Sequence, residues 1–534
     1  MNTPTEQPES RPNRRLVLLE IALVFAVFFI QGATPVPEVN EPSYLGKAIH
    51  YWNPDRAPGD FFLESADAHA VFYFTFGWLS LFMPPPVLAW FGRVLTWWLL
   101  AWSWRRLNYA ILRRSWFSIL TAVLLVGLIE YFHMAGEWII GGVEAKGFAF
   151  VLVFLGLEAL VRHRWNWMWL LFGAASAFHV LVGGWSVVAA AVAWIAAGKD
   201  RAPLRKMWPG LLGGFLLSLP GLIPALLLDR GVDAVTVREA YSIYVYERLC
   251  HHLSIAQIPR YFVWRFVAMV LVWMVLCRLT VPDAALRRLR AFVAGALLIA
   301  AAGLLVTLSA LYDPSFCAAL LRFYWYRLSD VAVPLGVAVE VAAFVSQRLR
   351  TRPGLARISL AAAILLAAVH IGGHVSQRVV PQLPPAFRSY DPRYPVAFYV
   401  EWRKACDWIA ESGEIPPDAR FITPRMTQTF KWYAGRAEVG NWKEIPQDAG
   451  TIVQWWQRMN DLHGTGMRDP LLRSSLSRHS RTSLEQLGRK YNADYLITYA
   501  RPRLPLPVVY PTNEEDRNHA FVIYRLSDDE RSTP

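Results

Sequence analysis

Apolar runs recur from Leu16 to about Val375, most of them near the ~20 residues that carry a helix across ~30 Å of hydrocarbon, and none recurs after Pro381. Inside a bilayer the backbone must satisfy its own hydrogen bonds, so such runs become helices. The sequence therefore predicts a polytopic α-helical membrane bundle over 16–375, with about eleven transmembrane helices. A soluble C-terminal α/β domain is expected over 376–534.

Basic residues set the direction of each crossing. Arg11, Arg14 and Arg15 precede the first run, 16–33, and hold the N-terminus, 1–15, in the cytoplasm. Because many runs follow, this first one reads as an uncleaved anchor. Residues 34–69 then form an outer loop. The stretch 70–83 ends at Pro84-Pro85-Pro86 and is too short to span, so it is expected to lie along the interface as a helix. On that assignment the run 87–104 travels inward and delivers Arg105, Arg106, Arg113 and Arg114 to the cytoplasm. Further crossings are expected at 116–135, 148–161, a pair of short helices within 165–198, 207–228, 261–279, 292–311, 331–345 and 358–374. An odd number of crossings puts the C-terminal domain outside a multi-pass protein of the bacterial inner (plasma) membrane.

The net charge of +13 does not mark a nucleic-acid binder, because the cations sit in short loops between apolar runs and act as membrane anchors. Cys250, Cys277, Cys317 and Cys406 show neither metal-ligand spacing nor a disulfide framework. In the tail the periodicity alternates. Helices are expected over 400–411, 451–459 and 483–491, and strands over 420–423, 494–498 and 520–525.

Sorted by expected side of the membrane, the chemically capable residues collect outside. Glu38 and Glu41, in Glu38-Val-Asn-Glu41-Pro-Ser-Tyr44, stand just above the first span. Partial shielding there raises a carboxyl pKa and suits a base that takes a proton from a hydroxyl; either residue can fill the role. Glu144 and Lys146, in Gly141-Gly-Val-Glu-Ala-Lys146, lie at the lip of a span, where a simple ion pair is the alternative reading. Arg248, His251 and His252 fall in one outer segment, and Arg322 and Arg327 in another, amid aromatics. Arginine forks suit phosphate, whereas the aromatics suit either a sugar face or the membrane interface. Adjacent histidines lack the spacing of a helical zinc pair, so no metal ligands and no cofactor are assigned, with a divalent metal left open. His179, at the turn of the short helix pair, either lines a cavity or meets backbone. Arg93 lies within a span and is expected to face protein or a lipid head group.

This layout resembles the GT-C-type integral-membrane glycosyltransferases, relatives of protein mannosyltransferases and aminoarabinose transferases. The chain also resembles an uncharacterised bacterial membrane-protein family. The first resemblance implies an acidic base in the first outer loop, matched by Glu38 or Glu41, although the acids here are three apart instead of adjacent. His69-Ala-Val-Phe-Tyr-Phe followed by Arg93 is similar to the superfamily's interfacial helix and second span, while its usual lysine near the turn at His179 is absent. The implied activity moves a sugar from a polyprenyl-phosphate-linked donor, held with membrane lipid, to an extracytoplasmic acceptor. Glu38, Glu41 and Glu144 would be catalytic; Arg93, Lys146, His179, Arg248, His251, His252, Arg322 and Arg327 would bind substrate or phosphate. Two other readings stay open: a transporter or lipid flippase, from the Gly/Pro-rich run 207–228, and a non-enzymatic envelope assembly or scaffold protein that uses Trp432, Trp442, Trp455 and Trp456 as contacts.

Overall fold

The computed structural model describes residues 13–380, 382–387, 395–464, 476–512 and 517–526. Arg11 and the rest of the segment up to residue 12, expected to be cytoplasmic, lie outside them. The N-terminal half contains α1 (Arg14–Gly32), α2 (Glu41–Trp52), α3 (Ala70–Thr75), α4 (Pro85–Leu112), α5 (Phe117–Phe132), α6 (Ala145–Val161), α7 (Trp165–Phe178), α8 (Val180–Ala196) and α9 (Leu204–Leu227). After them come α10 (Ala234–Ser242), α11 (Cys250–Leu253), α12 (Arg260–Leu279), α13 (Ala284–Leu308), α14 (Pro314–Leu321), α15 (Arg327–Thr351) and α16 (Pro353–Gln377). The tail holds α17 (Pro395–Glu411), α18 (Phe430–Ala434), α19 (Ala449–His463) and α20 (Arg481–Tyr491), with β1 (Arg420–Ile422), β2 (Ala437–Glu438), β3 (Tyr495–Tyr499), β4 (Val508–Tyr510) and β5 (Phe521–Arg525).

Short-range chemistry sets many of the helix starts. Asp283, Asp313 and Asp448 each accept hydrogen bonds from otherwise unpaired N–H groups of the first turn, and Pro85, Pro314 and Pro353 open α4, α14 and α16. Among the described residues six helices, α1, α9, α12, α13, α15 and α16, are long and apolar enough to cross a membrane. A seventh results if α4 and α5, bent by 116°, count as one span. The chain is thus a helical membrane protein with fewer qualifying helices than the eleven expected. The difference falls on α4, which qualifies only together with α5, and on α5, α6, α7 and α8, which hold 16, 17, 14 and 17 residues and at ~1.5 Å per residue stop short of ~30 Å. The expected interfacial helix also splits, into α3 and a 3-10 turn over Gly77–Leu81.

Three arginines of α4 are paired with carboxylates. Arg93 on α4 faces protein, Arg105 meets Glu20 at 2.8 Å, and Arg106 meets Glu158 at 2.7 Å. The Gly/Pro-rich run forms one continuous α9 through Pro209, Pro220 and Pro224. It packs backbone to backbone on α7: a Cβ on Gly173 would lie 2.0 Å from the Gly214 carbonyl oxygen. Asn166 bridges the ladder beside Pro209, donating to Lys206 O at 3.0 Å and accepting from Gly210 N–H at 3.1 Å.

In the tail the strands order as β2-β1-β3-β5-β4, with β1 parallel to β2 and β3, and β5 antiparallel to β3 and β4. Alternation along them divides two cores. Phe421, Tyr495, Ile497 and Ile523 pack with Trp402 of α17, whereas Ile422, Leu496, Val522 and Tyr524 pack with Trp455 of α19 and Leu484 of α20. Trp455 and Trp432 are buried, and Trp442 and Trp456 are partly buried. The second core also takes in Ala240, Ile243 and, from the first loop, Phe61, so this unit is packed into the segments above the bundle. Polar ties extend the contact: Arg420 donates to Gly59 O at 2.7 Å, and Gln428 to Val39 O at 3.0 Å.

Candidate functional site

Where the first loop, the α5–α6 loop, the segment after α10, the start of α15 and the tail meet, they enclose a cavity of about 380 Å³. Its wall gathers Glu38, Glu144, Lys146, Arg248, His252 and Arg327 from the residues expected to form a site. They come from four separate stretches of chain. Tyr44, Lys47, Asp67, Tyr244, Tyr324 and Glu444 join them.

Glu41 and Arg93 do not line the cavity. They form a two-pronged ion pair, Arg93 Nε to Glu41 Oε1 and Arg93 Nη2 to Glu41 Oε2, both at 2.7 Å, and both residues are 0% exposed. The Glu41 oxygens also accept Val143 N–H at 3.0 Å and Glu38 N–H at 2.8 Å. Expected as a base and a substrate ligand, the two instead staple the first loop to α4 and the α5–α6 loop. Gly142 permits this approach, since a Cβ there would sit 2.8 Å from the Glu38 Cβ and 2.9 Å from the Glu41 Cγ.

Glu38 is the carboxyl left on the cavity. It is 7% exposed and accepts a long 3.3 Å hydrogen bond from Asn40 N–H, and its pKa is pushed up to about 7 by burial first and the nearby Glu144 charge second. Glu144 is itself raised by burial, against the pull of Lys146. Asn40 Nδ2 donates to its Oε1 at 3.3 Å, and among the described residues its Oε2 has no hydrogen-bond partner, with Lys146 Nζ 3.7 Å away. Glu137, one turn of loop earlier, behaves oppositely. Burial alone would raise it, but Lys146 at 3.0 Å and Arg327 at 3.5 Å hold it below the ordinary value. The loop that carries it is fixed by Asp330, whose carboxylate accepts the N–H groups of Met134 and Ala135 at 2.8 Å each and of Glu137 at 3.3 Å.

The cations arrive from other elements. The Arg327 guanidinium stacks on Tyr324 at 3.8 Å, and Arg248 donates to Trp442 O at 2.7 Å and Lys443 O at 3.1 Å, tying this wall to the tail. Burial lowers the Arg248 pKa to about 10, which leaves it charged near neutrality. Burial, then Arg327, holds His252 neutral; its Nδ1 meets Ala135 O at 2.7 Å.

Three other expectations move. His179 caps α8, where its Nδ1 accepts from Val182 N–H at 3.3 Å, and its ring lies edge-on to His69 at 5.7 Å, beside a separate small pocket. Burial lowers the His251 pKa to about 4, and this residue packs on His252 outside the cavity lining. Arg322 pairs with Asp229 at 3.2 Å, also off the cavity. Conversely, Glu444 was not anticipated. Lys431, buried among Asp60, Glu438 and Glu444, approaches it closely, yet burial still pushes the Glu444 pKa up to about 7. Its Oε1 has no hydrogen-bond partner among the described residues. A lone glutamate in a polar loop gave no sequence signal for this.

Two buried carboxyls poised near neutrality, facing a cluster of fixed cations and phenols, can exchange a proton with a hydroxyl while holding an anionic group. Residues 400–462, from α17 to α19, match a family described as a domain of unknown function (DUF6798). No curated protein matches the chain. Among solved structures, the oligosaccharyltransferase of Archaeoglobus fulgidus, crystallised as a complex with Zn and sulfate, is similar with a TM-score of 0.46 and 11% identity, over 91% of this chain and 68% of that one.

Proposed function

We propose that this protein is a membrane glycosyltransferase that moves a sugar from a polyprenyl-phosphate-linked donor to a hydroxyl acceptor on the outer side of the membrane. The observation that carries the reading is the pairing of Glu38 and Glu144 with Lys146, Arg248 and Arg327 around one cavity above the apolar helices. In the reaction the Glu38 carboxylate takes the acceptor O–H proton as that oxygen bonds to the anomeric carbon. The bond from that carbon to the phosphate oxygen breaks, and polyprenyl phosphate leaves with the electron pair. Arg327, Arg248 and Lys146 compensate the charge that develops on the leaving phosphate. A pKa near 7 suits Glu38 to this exchange, and Glu144 holds the acceptor by its unpaired oxygen.

The test uses the full chain in lipid nanodiscs with radiolabelled undecaprenyl-phosphate hexoses as probes. Release of undecaprenyl phosphate with a new glycoside, abolished in Glu38→Gln, supports the reading; full turnover in Glu38→Gln overturns it. Glu41 is left native because its loss would unclamp the fold. In sealed liposomes, movement of the labelled lipid between leaflets without any covalent product would favour a flippase instead.

A further inference from the structure

Glu130 near the end of α5 and His370 and His374 near the end of α16 take no part in the cavity chemistry, yet they converge. Four residues apart, the histidines share one face of α16, with ring centroids 4.8 Å apart. One donor atom from each of the three residues lies within 4.8 Å of the others. His374 Nε2 is 2.8 Å from Glu130 Oε2. From α1, Gln31 binds both partners: its Nε2 donates to Glu130 Oε2 at 2.7 Å, and its Oε1 meets His370 Nε2 at 2.8 Å. That contact orients the His370 ring and leaves Nδ1 buried with no hydrogen-bond partner among the described residues. Ionisable groups gathered among membrane-spanning helices are costly without a task.

We propose that Glu130, His370 and His374 bind a divalent transition-metal ion of the zinc class, a site that does not rest on the sugar-transfer reading. Two imidazoles at i, i+4 and one carboxylate are a three-ligand set for such an ion, with Gln31 as the outer partner that fixes ligand orientation. Bonds of about 2.0–2.2 Å require donors about 3.3–3.5 Å apart. Rotation of the Glu130 and His374 side chains, 34% and 18% exposed, supplies the remaining approach. The ion would pin a weakly packed helix, since only Ala356, Ala363 and His370 of α16 are buried. Beside the cluster lies a hollow of about 290 Å³, lined by Gln31 and Glu130, that shares Gly136 and Trp138 with the main cavity.

The experiment strips the detergent-solubilised full chain with a chelator and titrates it with Co²⁺, reading the visible absorption of tetrahedral coordination, then competes with Zn²⁺. One equivalent of Co²⁺ displaced by Zn²⁺, and not by Mg²⁺, is expected. Gln31→Ala should weaken binding about 10–100-fold and His374→Gln by more than that. Zn²⁺ should raise the melting temperature of the native chain but not of His374→Gln. Glu130→Gln, on the opposite helix, asks the same question if His374→Gln does not fold. No binding at micromolar Co²⁺, or stoichiometric binding unchanged in both variants, overturns the site.

Discussion

Glu38 and Glu41 stand within one turn of each other, and both are buried, yet their surroundings differ. Glu41 has Arg93 gripping both oxygens and two backbone N–H groups completing its shell. Glu38 faces the cavity with a second carboxyl beside it and its proton affinity raised to about 7. Burial is common to the two, so burial is not what separates a fixed ion pair from a carboxyl with a raised proton affinity. The difference is how completely each charge is compensated: full compensation fixes geometry, and incomplete compensation leaves a group able to take or give a proton.

Variants of each region can break or sharpen this contrast. Glu38→Gln should lower transfer by about 10²–10⁴-fold while the chain still purifies as a single folded species; assaying turnover beside size-exclusion elution checks both halves. Arg93→Ala should instead act on the fold. It leaves Glu41 buried and uncompensated, at a cost of about 3–5 kcal/mol, to be read as lost expression or a fallen melting temperature. Similar outcomes for the two variants would erase the distinction between Glu38 and Glu41.

A pH series separates them further. The folded chain holds the Glu38 proton up to about pH 7, against an ordinary value of 4.5, so this group's stabilising contribution is complete below about 4.5 and is lost as pH rises to about 7. Glu444 acts with the same sign in the same window. At pH 8, Glu38→Gln should therefore be more stable than the native chain by on the order of 2–3 kcal/mol, and near pH 4 the difference should vanish. Thermal melts at the two pH values decide it. Arg248→Ala removes two hydrogen bonds that tie the cavity wall to the tail and should cost about 1.5–3 kcal/mol. Arg322→Ala breaks a partly exposed pair off the cavity and should change stability by less than about 1 kcal/mol, with turnover unaffected.

Much of the tail was legible from sequence. The expected strand at 420–423 is β1, those at 494–498 and 520–525 are β3 and β5, and the expected helices fall within α17, α19 and α20. Each carries its own apolar period. β2 and β4, of two and three residues, carry none and exist through pairing with β1 and β5. In the membrane half the apolar runs were visible, but which of them form helices long enough to span was not: the run 116–135 yields a helix of 16 residues, and the run 165–198 divides into helices of 14 and 17.

Of the residues the sequence singled out, Glu38, Glu144, Lys146, Arg248, His252 and Arg327 line one cavity; polar groups beside long apolar runs stand out against them. It could not tell the surroundings of Glu38 from those of Glu41, because Arg93, which grips Glu41, lies 52 residues along the chain. Nor could it supply Glu444 from the tail, the Asp330 brace of the loop before Glu137, or the meeting of Glu130 with His370 and His374. By itself the sequence determined that the chain is built of membrane helices with a mixed α/β tail, because hydrophobic length and period are local properties. Which buried carboxyl is fully compensated, and which is left partly uncompensated on the cavity, was decided only by the tertiary structure, because electrostatic compensation depends on distance in space and not along the chain.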